Sequence, residues 1–307
     1  MSNSNRWFVI INPTSGNGSS KRKWPRIKAL LNAEDFDFDY AFTEHENHSV
    51  LLVQIAVKQG FKKIISVGGD GTLHNIINGI QRQNSVNSSD IQIGVVAIGT
   101  GNDWIKTYNI PLHIEKAISI IKRGVLRQQD IGKIEFIDQK QESIYFNNLA
   151  GVGFDGFVVS KVSKYKNLGA IAYLIGAIAG LFSFKNFSST ITLNETEIRT
   201  KSLMVLAGLC KYSGGGMQLT KDPNPNDGLF DVSIAKDLSK FDILKNLYNL
   251  FNGKIVEHSK VENYKVSELS IIIDSKVKPF IQADGELIGT GSIRLKIAPR
   301  AFTFYAN

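Results

Sequence analysis

Apolar and polar positions divide the chain into two stretches of different rhythm. In the first, short apolar runs alternate with segments whose apolar residues recur every three to four positions. Trp7–Ile11, Phe36–Phe42, Lys62–Val67 and Ile91–Ile98 read as strands. Lys21–Leu31, Ser49–Gly60, the segment carrying Leu73, Ile76, Ile77 and Ile80, and Pro111–Arg123 read as helices. Strand and helix in alternation predict a parallel α/β sheet. Near Val125 the rhythm changes. Gln129–Phe157 and Phe187–Ala235 are short extended runs rich in Ile, Val, Thr and Phe with turn residues between them. Val261–Ile273, Phe280–Ala283, Ser292–Ala298 and Phe302–Tyr305 continue in the same manner, which predicts a β-rich second domain. Two segments interrupt it. Phe241–Phe251 has helical spacing. Leu168–Phe184 is apolar, but it is shorter than the ~20 residues a membrane span needs and carries Gly169, Gly176 and Gly180, so it reads as a buried or interfacial helix.

Composition narrows the class. The chain has 307 residues, enough for two domains with cores of their own. At 43% hydrophobic and 21% charged residues it is globular rather than disordered. One cysteine, Cys210, allows no internal disulfide and fits a reducing compartment. The net charge of +8 suits nucleic acid, an anionic membrane or a phosphorylated substrate. No aromatic-and-glycine ribonucleoprotein pattern or Cys/His finger spacing accompanies it, so nucleic acid is not expected. Met1–Arg6 is polar and leads straight into a strand, unlike a signal peptide.

The chemistry concentrates at strand ends. Ser66–Gly79 reads S-V-G-G-D-G-T-L-H-N-I-I-N-G, placing Gly68, Gly69, Asp70, Gly71 and Thr72 at a strand-to-helix turn. Glycines let the backbone approach a ligand, and a helix start favours an anion. A carboxylate beside phosphate repels it unless a cation lies between, so Asp70 points to hydrated Mg²⁺; the plain alternative is a tight turn capped by Thr72. Two further loops, Asn12–Gly18 and Gly99–Asp103, are also small-residue turns after strands. All three fall at the carboxyl edge of the predicted sheet, where ligands bind in such folds. In the second domain, Lys221–Leu229 is rich in oxygen donors. Asp227 with Asn224 and nearby carbonyls suits a hard divalent cation, or simply an Asx-type turn. Asp284-Gly285-Glu286 is an acidic Asp-Gly hairpin turn. The five histidines have neither metal nor triad spacing.

Together these residues resemble the diacylglycerol kinase catalytic family, in its soluble bacterial lipid-kinase branch, related to sphingosine and ceramide kinases. The motifs are Asn12-Pro13 with Ser15-Gly16, Gly68–Thr72, Gly99-Thr100 with Asn102-Asp103, Asp130-Ile131-Gly132, Asn148 with Ala150-Gly151, Asn226–Leu229, and Asp284–Glu286. The resemblance implies a Rossmann-like parallel α/β nucleotide domain at 1–125, joined by the C-terminal strand 300–307, and a C-terminal β-sandwich at 126–299, with the active site in the cleft between. It implies ATP and Mg²⁺ as cofactors. Gly68, Gly69, Asp70, Gly71 and Thr72 would hold the phosphates. Asn12, Thr43, Thr100 and Asn102 would line the nucleotide site, with Asp70 toward the water shell of Mg²⁺. Glu286 matches the general base and Asp130 its acidic support; Asn224, Asp227 and the Leu229 carbonyl match a structural metal site. Two positions depart from the family pattern: Ala97 replaces a frequent proline, and His74-Asn75 replaces asparagine-glutamate.

The function expected is transfer of the γ-phosphate of ATP to a lipid hydroxyl by a cytoplasmic protein, peripheral on the inner membrane face. Its expected partners are ATP and a lipid at a membrane surface; a homodimer is allowed. The acceptor stays open among diacylglycerol, sphingoid, ceramide and phosphatidylglycerol-like lipids. Lys161, Lys164 and Lys166, before the Leu168–Phe184 segment, suit docking on an anionic bilayer or are solvated lysines at the start of a core helix. Two other readings remain: an NAD kinase-like soluble kinase, and a non-catalytic lipid or nucleotide binder of the same fold.

Overall fold

A computed structural model describes residues 3–99, 101–162 and 184–307. It divides into two compact units, Met1–Gln129 with Arg300–Asn307, and Asp130–Pro299. The first alternates β1 (Trp7–Ile11), α1 (Ser19–Ala33), β2 (Phe38–Phe42), α2 (His48–Lys58), β3 (Lys63–Gly68), α3 (Asp70–Arg82), β4 (Gln92–Ala97), α4 (Asp103–Thr107) and α5 (Ile114–Arg123). Strands β2, β1, β3 and β4 lie side by side and parallel, with Ile11 beside Phe42 and Val67, and Gly68 beside Ala97. The end of the chain completes this sheet, since Thr303 and Phe304 pair in parallel with Gln92 and Ile93. The runs of Ile and Val need cover on both faces, as parallel sheets do. Val9, Ile11, Ile65 and Val67 pack with Trp24, Ile27 and Leu31 of α1 and Ile118 and Ile121 of α5. Strand alternation turns Ile10 and Ile64 the other way, toward α2 and α3. Those two helices cross closely at Gly79, where a Cβ would stand 2.8 Å from the Val50 carbonyl.

The second unit contains β5 (Leu126–Phe136, entering from the first unit), β6 (Ile144–Phe146), β7 (Leu149–Gly153), α6 (Phe154–Val162), β8 (Phe187–Leu193), β9 (Thr196–Gly208) and β10 (Phe230–Lys236). It continues with α7 (Lys240–Lys245), α8 (Leu247–Asn252), β11 (Val261–Val266), β12 (Glu268–Ile273), β13 (Phe280–Ala283), β14 (Glu286–Thr290) and β15 (Ile293–Tyr305). Its sheet is antiparallel in the order β14, β13, β7, β9, β8, β12, β15, with β10 paired to β9 and β11. Strand β8 shows the alternation of buried and more exposed positions expected of such strands. Phe154 and Val158, one helical turn apart, anchor α6 against Leu203, Ala235 and Leu238.

Several elements differ from the sequence reading, among them Phe241–Phe251, which is two short helices broken at Asn246. The stretch ending at Phe157 turns helical at Phe154, because tertiary packing of Phe154 and Val158 outweighs the strand propensity of its Phe and Val residues. Val261–Ile273 is two strands with different neighbours. The last two predicted strands are one, β15, which pairs with β12 through Ile293–Lys296 and with β4 through Thr303–Phe304. Positive φ at Arg300, 51°, marks the passage between units. The Leu168–Phe184 segment, Phe184 excepted, lies outside the described residues, as do Lys164 and Lys166. Lys161 lies on α6, its ammonium 5.2 Å from the centre of the Phe157 ring. Among the described residues no helix is long and apolar enough to cross a membrane.

Candidate active-site loops and the Glu286 turn

In the first unit the loops after β1, β3 and β4 meet. The β3–α3 turn is built by absence of side chains. A Cβ on Gly68 would lie 2.3 Å from Thr72 Oγ1, and one on Gly99 would lie 3.1 Å from the Gly69 Cα, so two loops pass backbone against backbone. Helix α3 opens at Asp70 with Gly69 as its cap, and Thr72 sits in its first turn. Thr72 Oγ1 accepts a hydrogen bond from Asn12 Nδ2 at 3.1 Å and lies 3.4 Å from Ser15 Oγ. Asn12 in turn accepts from the Thr14 N–H and hydroxyl through Oδ1. Asp70 Oδ2 accepts the Asp103 N–H at 2.9 Å, and Asn102 Nδ2 donates to the Gly99 carbonyl at 2.8 Å. Asn102 Oδ1 is buried, with no hydrogen-bond partner among the described residues. Asn102, at φ 49°, starts the short helix α4, whose Asp103 pairs with Lys106 at 2.6 Å.

Asn12, Gly68, Gly69, Asp70, Gly71, Thr72 and Asn102 thus come together at one edge of the parallel sheet. A helix start lined by glycine backbone is a ready anion site, and a carboxylate is the hard oxygen donor that Mg²⁺ takes. Thr43 follows β2, the neighbouring strand, its N–H bonded to the Ile11 carbonyl. Thr100 lies outside the described residues. His74 is buried on α3, where Asn78 donates to its carbonyl.

The second unit holds the acidic turn. Asp284 and Gly285 both have positive φ, 51° and 81°, as a two-residue hairpin turn between β13 and β14 requires. The Asp284 carboxylate receives three backbone N–H groups, from Asn147 at 3.1 Å, Asn148 at 2.9 Å and Leu149 at 3.2 Å. This clasp binds the turn to the start of β7 and presents Glu286, half-buried, as the next residue but one. Asn148 also receives the Leu209 N–H and donates to the Tyr212 carbonyl, which adds the 209–217 loop to the same edge. The reading from sequence assigned no role to Asp284, Asn148 or Gln282. The first two stand in its motifs, but their partners are far away in the chain.

Asp130 is buried at the start of the unit. Its Oδ2 accepts the Gly228 N–H at 2.8 Å, and its N–H bonds to the Pro225 carbonyl at 2.8 Å. It thereby braces the Lys221–Leu229 loop. In that loop Asn224 Oδ1 accepts the Asn226 N–H and Asp227 Oδ1 the Leu229 N–H, both at 3.1 Å, so Asx-type turns are present. The Lys265 ammonium stands 3.2 Å from Asp227 Oδ2 and 3.3 Å from Asp231 Oδ2. Burial, reinforced by Asp227 and Asp222 and opposed by Lys265, pushes the Asp231 carboxyl up to about 6. Among the described residues no three His, Cys, Asp or Glu side chains gather as metal ligands. The hard oxygens of Asn224, Asp227 and Leu229 nonetheless suit a divalent cation, which would relieve the crowding of carboxylates that one lysine answers. Asp227→Ala is expected to lower the melting temperature in metal-free buffer, through the loss of hydrogen bonds worth about 1 kcal/mol each. It is also expected to abolish the rise that Mg²⁺ gives the parent by binding only the native state. The same Mg²⁺ response in both proteins, or none in either, removes a metal from this loop.

Comparison with known proteins agrees with this anatomy. Residues 6–134 match the diacylglycerol kinase catalytic domain, and residues 148–306 the YegS C-terminal NAD kinase beta sandwich-like domain. A Bacillus subtilis (strain 168) protein named "Putative lipid kinase YtlR" is 29% identical over 309 residues, covering 95% of this chain and 97% of the relative. A Staphylococcus saprophyticus protein named diacylglycerol kinase is 29% identical over 283 residues, covering 92% and 88%. A solved structure of a diacylglycerol kinase from Bacillus anthracis strain Sterne superposes with a TM-score of 0.74 over 100% of this chain and 98% of that one. At 19% identity it shares the fold. With both halves matched in order, and the glycine turn and acidic hairpin standing where the motifs require them, the chain belongs to the diacylglycerol kinase catalytic-domain family.

Proposed function

We propose that this protein is a lipid kinase that transfers the γ-phosphate of ATP to the hydroxyl of a diacylglycerol-like lipid. The observation that carries the reading is the convergence of three strand-end loops on the Gly68–Thr72 turn, with Asp70 tied to the Asp103 N–H. The backbone at the head of α3 receives phosphate oxygens. Mg²⁺, held through Asp70, would neutralise charge on the transferring group. In the second unit Glu286 takes the proton from the lipid hydroxyl as its oxygen bonds to the γ-phosphorus, while the bond from that phosphorus to the oxygen bridging to the β-phosphate breaks and ADP leaves. Asp284 fixes the turn on which Glu286 stands, and Asp130 braces the 221–229 loop. The diacylglycerol preference rests on the names of relatives at 29% identity or less. Radiolabelled ATP offered with diacylglycerol, sphingosine, ceramide or NAD tests the reading. Label in diacylglycerol is expected. Label in NAD alone would replace the lipid kinase with an NAD kinase-like enzyme, and ATP binding without transfer to any acceptor would leave a binding protein.

A further inference from the structure

Behind the acidic turn lies a second support that the Asp284 clasp does not explain. Asp155, in the first turn of α6, is 7% exposed, and Gln282, on β13, is 4% exposed. The Gln282 amide bridges two groups. Its Nε2 donates to Asp155 Oδ2 at 2.9 Å, and its Oε1 accepts the Gly285 N–H at 2.9 Å. Space for the carboxyl exists because residue 151 is glycine; a Cβ there would lie 1.8 Å from Asp155 Oδ2. Gly156, one residue on, lies close enough to the Phe280 carbonyl that a Cβ would stand 2.7 Å from it. Helix α6 is therefore seated directly on the strand that leads into the turn.

The chemistry of the bridge is directional. An amide presents a donor at one end and an acceptor at the other, and can turn end for end. An ionised carboxylate only accepts. Asp155 thus fixes which end of Gln282 faces inward, and so ensures that an oxygen, not an NH₂ group, meets the Gly285 N–H. Burial pushes the Asp155 carboxyl up to about 6, against the Gln282 bond and nearby backbone N–H groups of Asp155 and Gly156, and among the described residues its Oδ1 has no hydrogen-bond partner. A buried carboxylate this poorly compensated is costly to folding, so packing alone does not account for it.

We infer that Asp155 and Gln282 are positioning residues that set the Asp284–Glu286 turn from behind and so hold the Glu286 carboxylate in register with its acceptor hydroxyl. This deepens the reading of Glu286 as the base and rests on it.

The test is a double-mutant cycle, assayed with ATP and diacylglycerol in mixed micelles. Gln282→Met removes both bonds at similar length. It is expected to lower kcat about tenfold while leaving the KM for ATP within about twofold, since small misplacements of a catalytic group cost that much or more. In a Glu286→Gln background the same substitution is expected to cost almost nothing further, because a group that acts only through Glu286 has nothing left to position. Asp155→Asn offers the amide a donor as well as an acceptor, so Gln282 can turn end for end; it is expected to lower kcat in the same direction by about threefold to tenfold, with the KM for ATP within about twofold. Parent kcat in Gln282→Met, parent kcat in Asp155→Asn, or the full cost of Gln282→Met again on top of Glu286→Gln would each overturn the inference while leaving Glu286 as the base. Parent kcat in Glu286→Gln alone would overturn the base assignment and this inference together. Circular dichroism on each variant keeps loss of fold apart from loss of register, and should Gln282→Met not fold, Gln282→Leu takes its place in the cycle.

Discussion

Glu286→Gln is expected to lower kcat by about 10²–10⁴-fold, the usual worth of general base catalysis, while ATP binds as it does to the parent. A lipid hydroxyl is a very weak acid, so its proton has to leave as oxygen bonds to phosphorus. Glutamine has almost the same shape as glutamate and cannot accept that proton. The turn itself survives the substitution, because it is held by Asp284 on three N–H groups and by Gln282 on the Gly285 N–H, none of which involves the Glu286 side chain. Rates with saturating lipid and ATP, an ATP titration and circular dichroism on one sample settle the matter. A folded, ATP-binding variant at the parent rate moves the base elsewhere, and Asp130 is the next candidate. Asp130 is already engaged with the Gly228 N–H, so Asp130→Asn, which keeps an acceptor there, distinguishes a proton acceptor from a brace.

The parallel unit was legible because its signals are local. Ile64, Ile65 and Val67 announce a buried strand, glycines follow at once, and Ile76, Ile77 and Ile80 repeat at helical spacing. Each loop proposed to carry chemistry follows its strand within a few residues, so a parallel fold, with those loops as its candidate ligand edge, could be inferred without knowing any long-range contact. The second unit works otherwise. The geometry of its candidate site is made by residues about a hundred or more positions apart: Asp284 with Asn148, Gln282 with Asp155, Asp130 with Gly228 or Pro225. Antiparallel pairing of β13 with β7 brings the first two together, with Gln282 opposite Gly151, and no local pattern reveals that register. Gln282 has no signal at all in its neighbourhood, and Asp155 is hidden by the strand-like character of Phe154–Val162. The oxygen-rich loop was visible, yet Lys265, which stands between Asp227 of that loop and Asp231 of β10, was not.

Asp70→Asn is expected to keep the fold and lose most of the turnover, by about 10²–10³-fold, the loss typical when one electrostatic group at a reacting centre is removed. The structural part of the side chain is retained, since an asparagine oxygen can accept the Asp103 N–H as Asp70 Oδ2 does at 2.9 Å. The neighbouring bonds, Asn12 to Thr72 and Asn102 to the Gly99 carbonyl, do not depend on the charge. What disappears is the negative charge at the head of α3, and with it the hold on a divalent cation beside the phosphates that the proposed function gives to Asp70. ATP affinity in the absence of Mg²⁺ is therefore expected to be unchanged or slightly higher, since a carboxylate no longer faces the phosphate chain. The Mg²⁺ concentration needed for half-maximal rate is expected to rise. Lipid phosphorylation measured across a Mg²⁺ series separates these effects. An Asp70→Asn protein with parent kcat and an unchanged Mg²⁺ requirement would show that the cation is held by other groups, and would reduce Asp70 to a tie between the loops after β3 and β4.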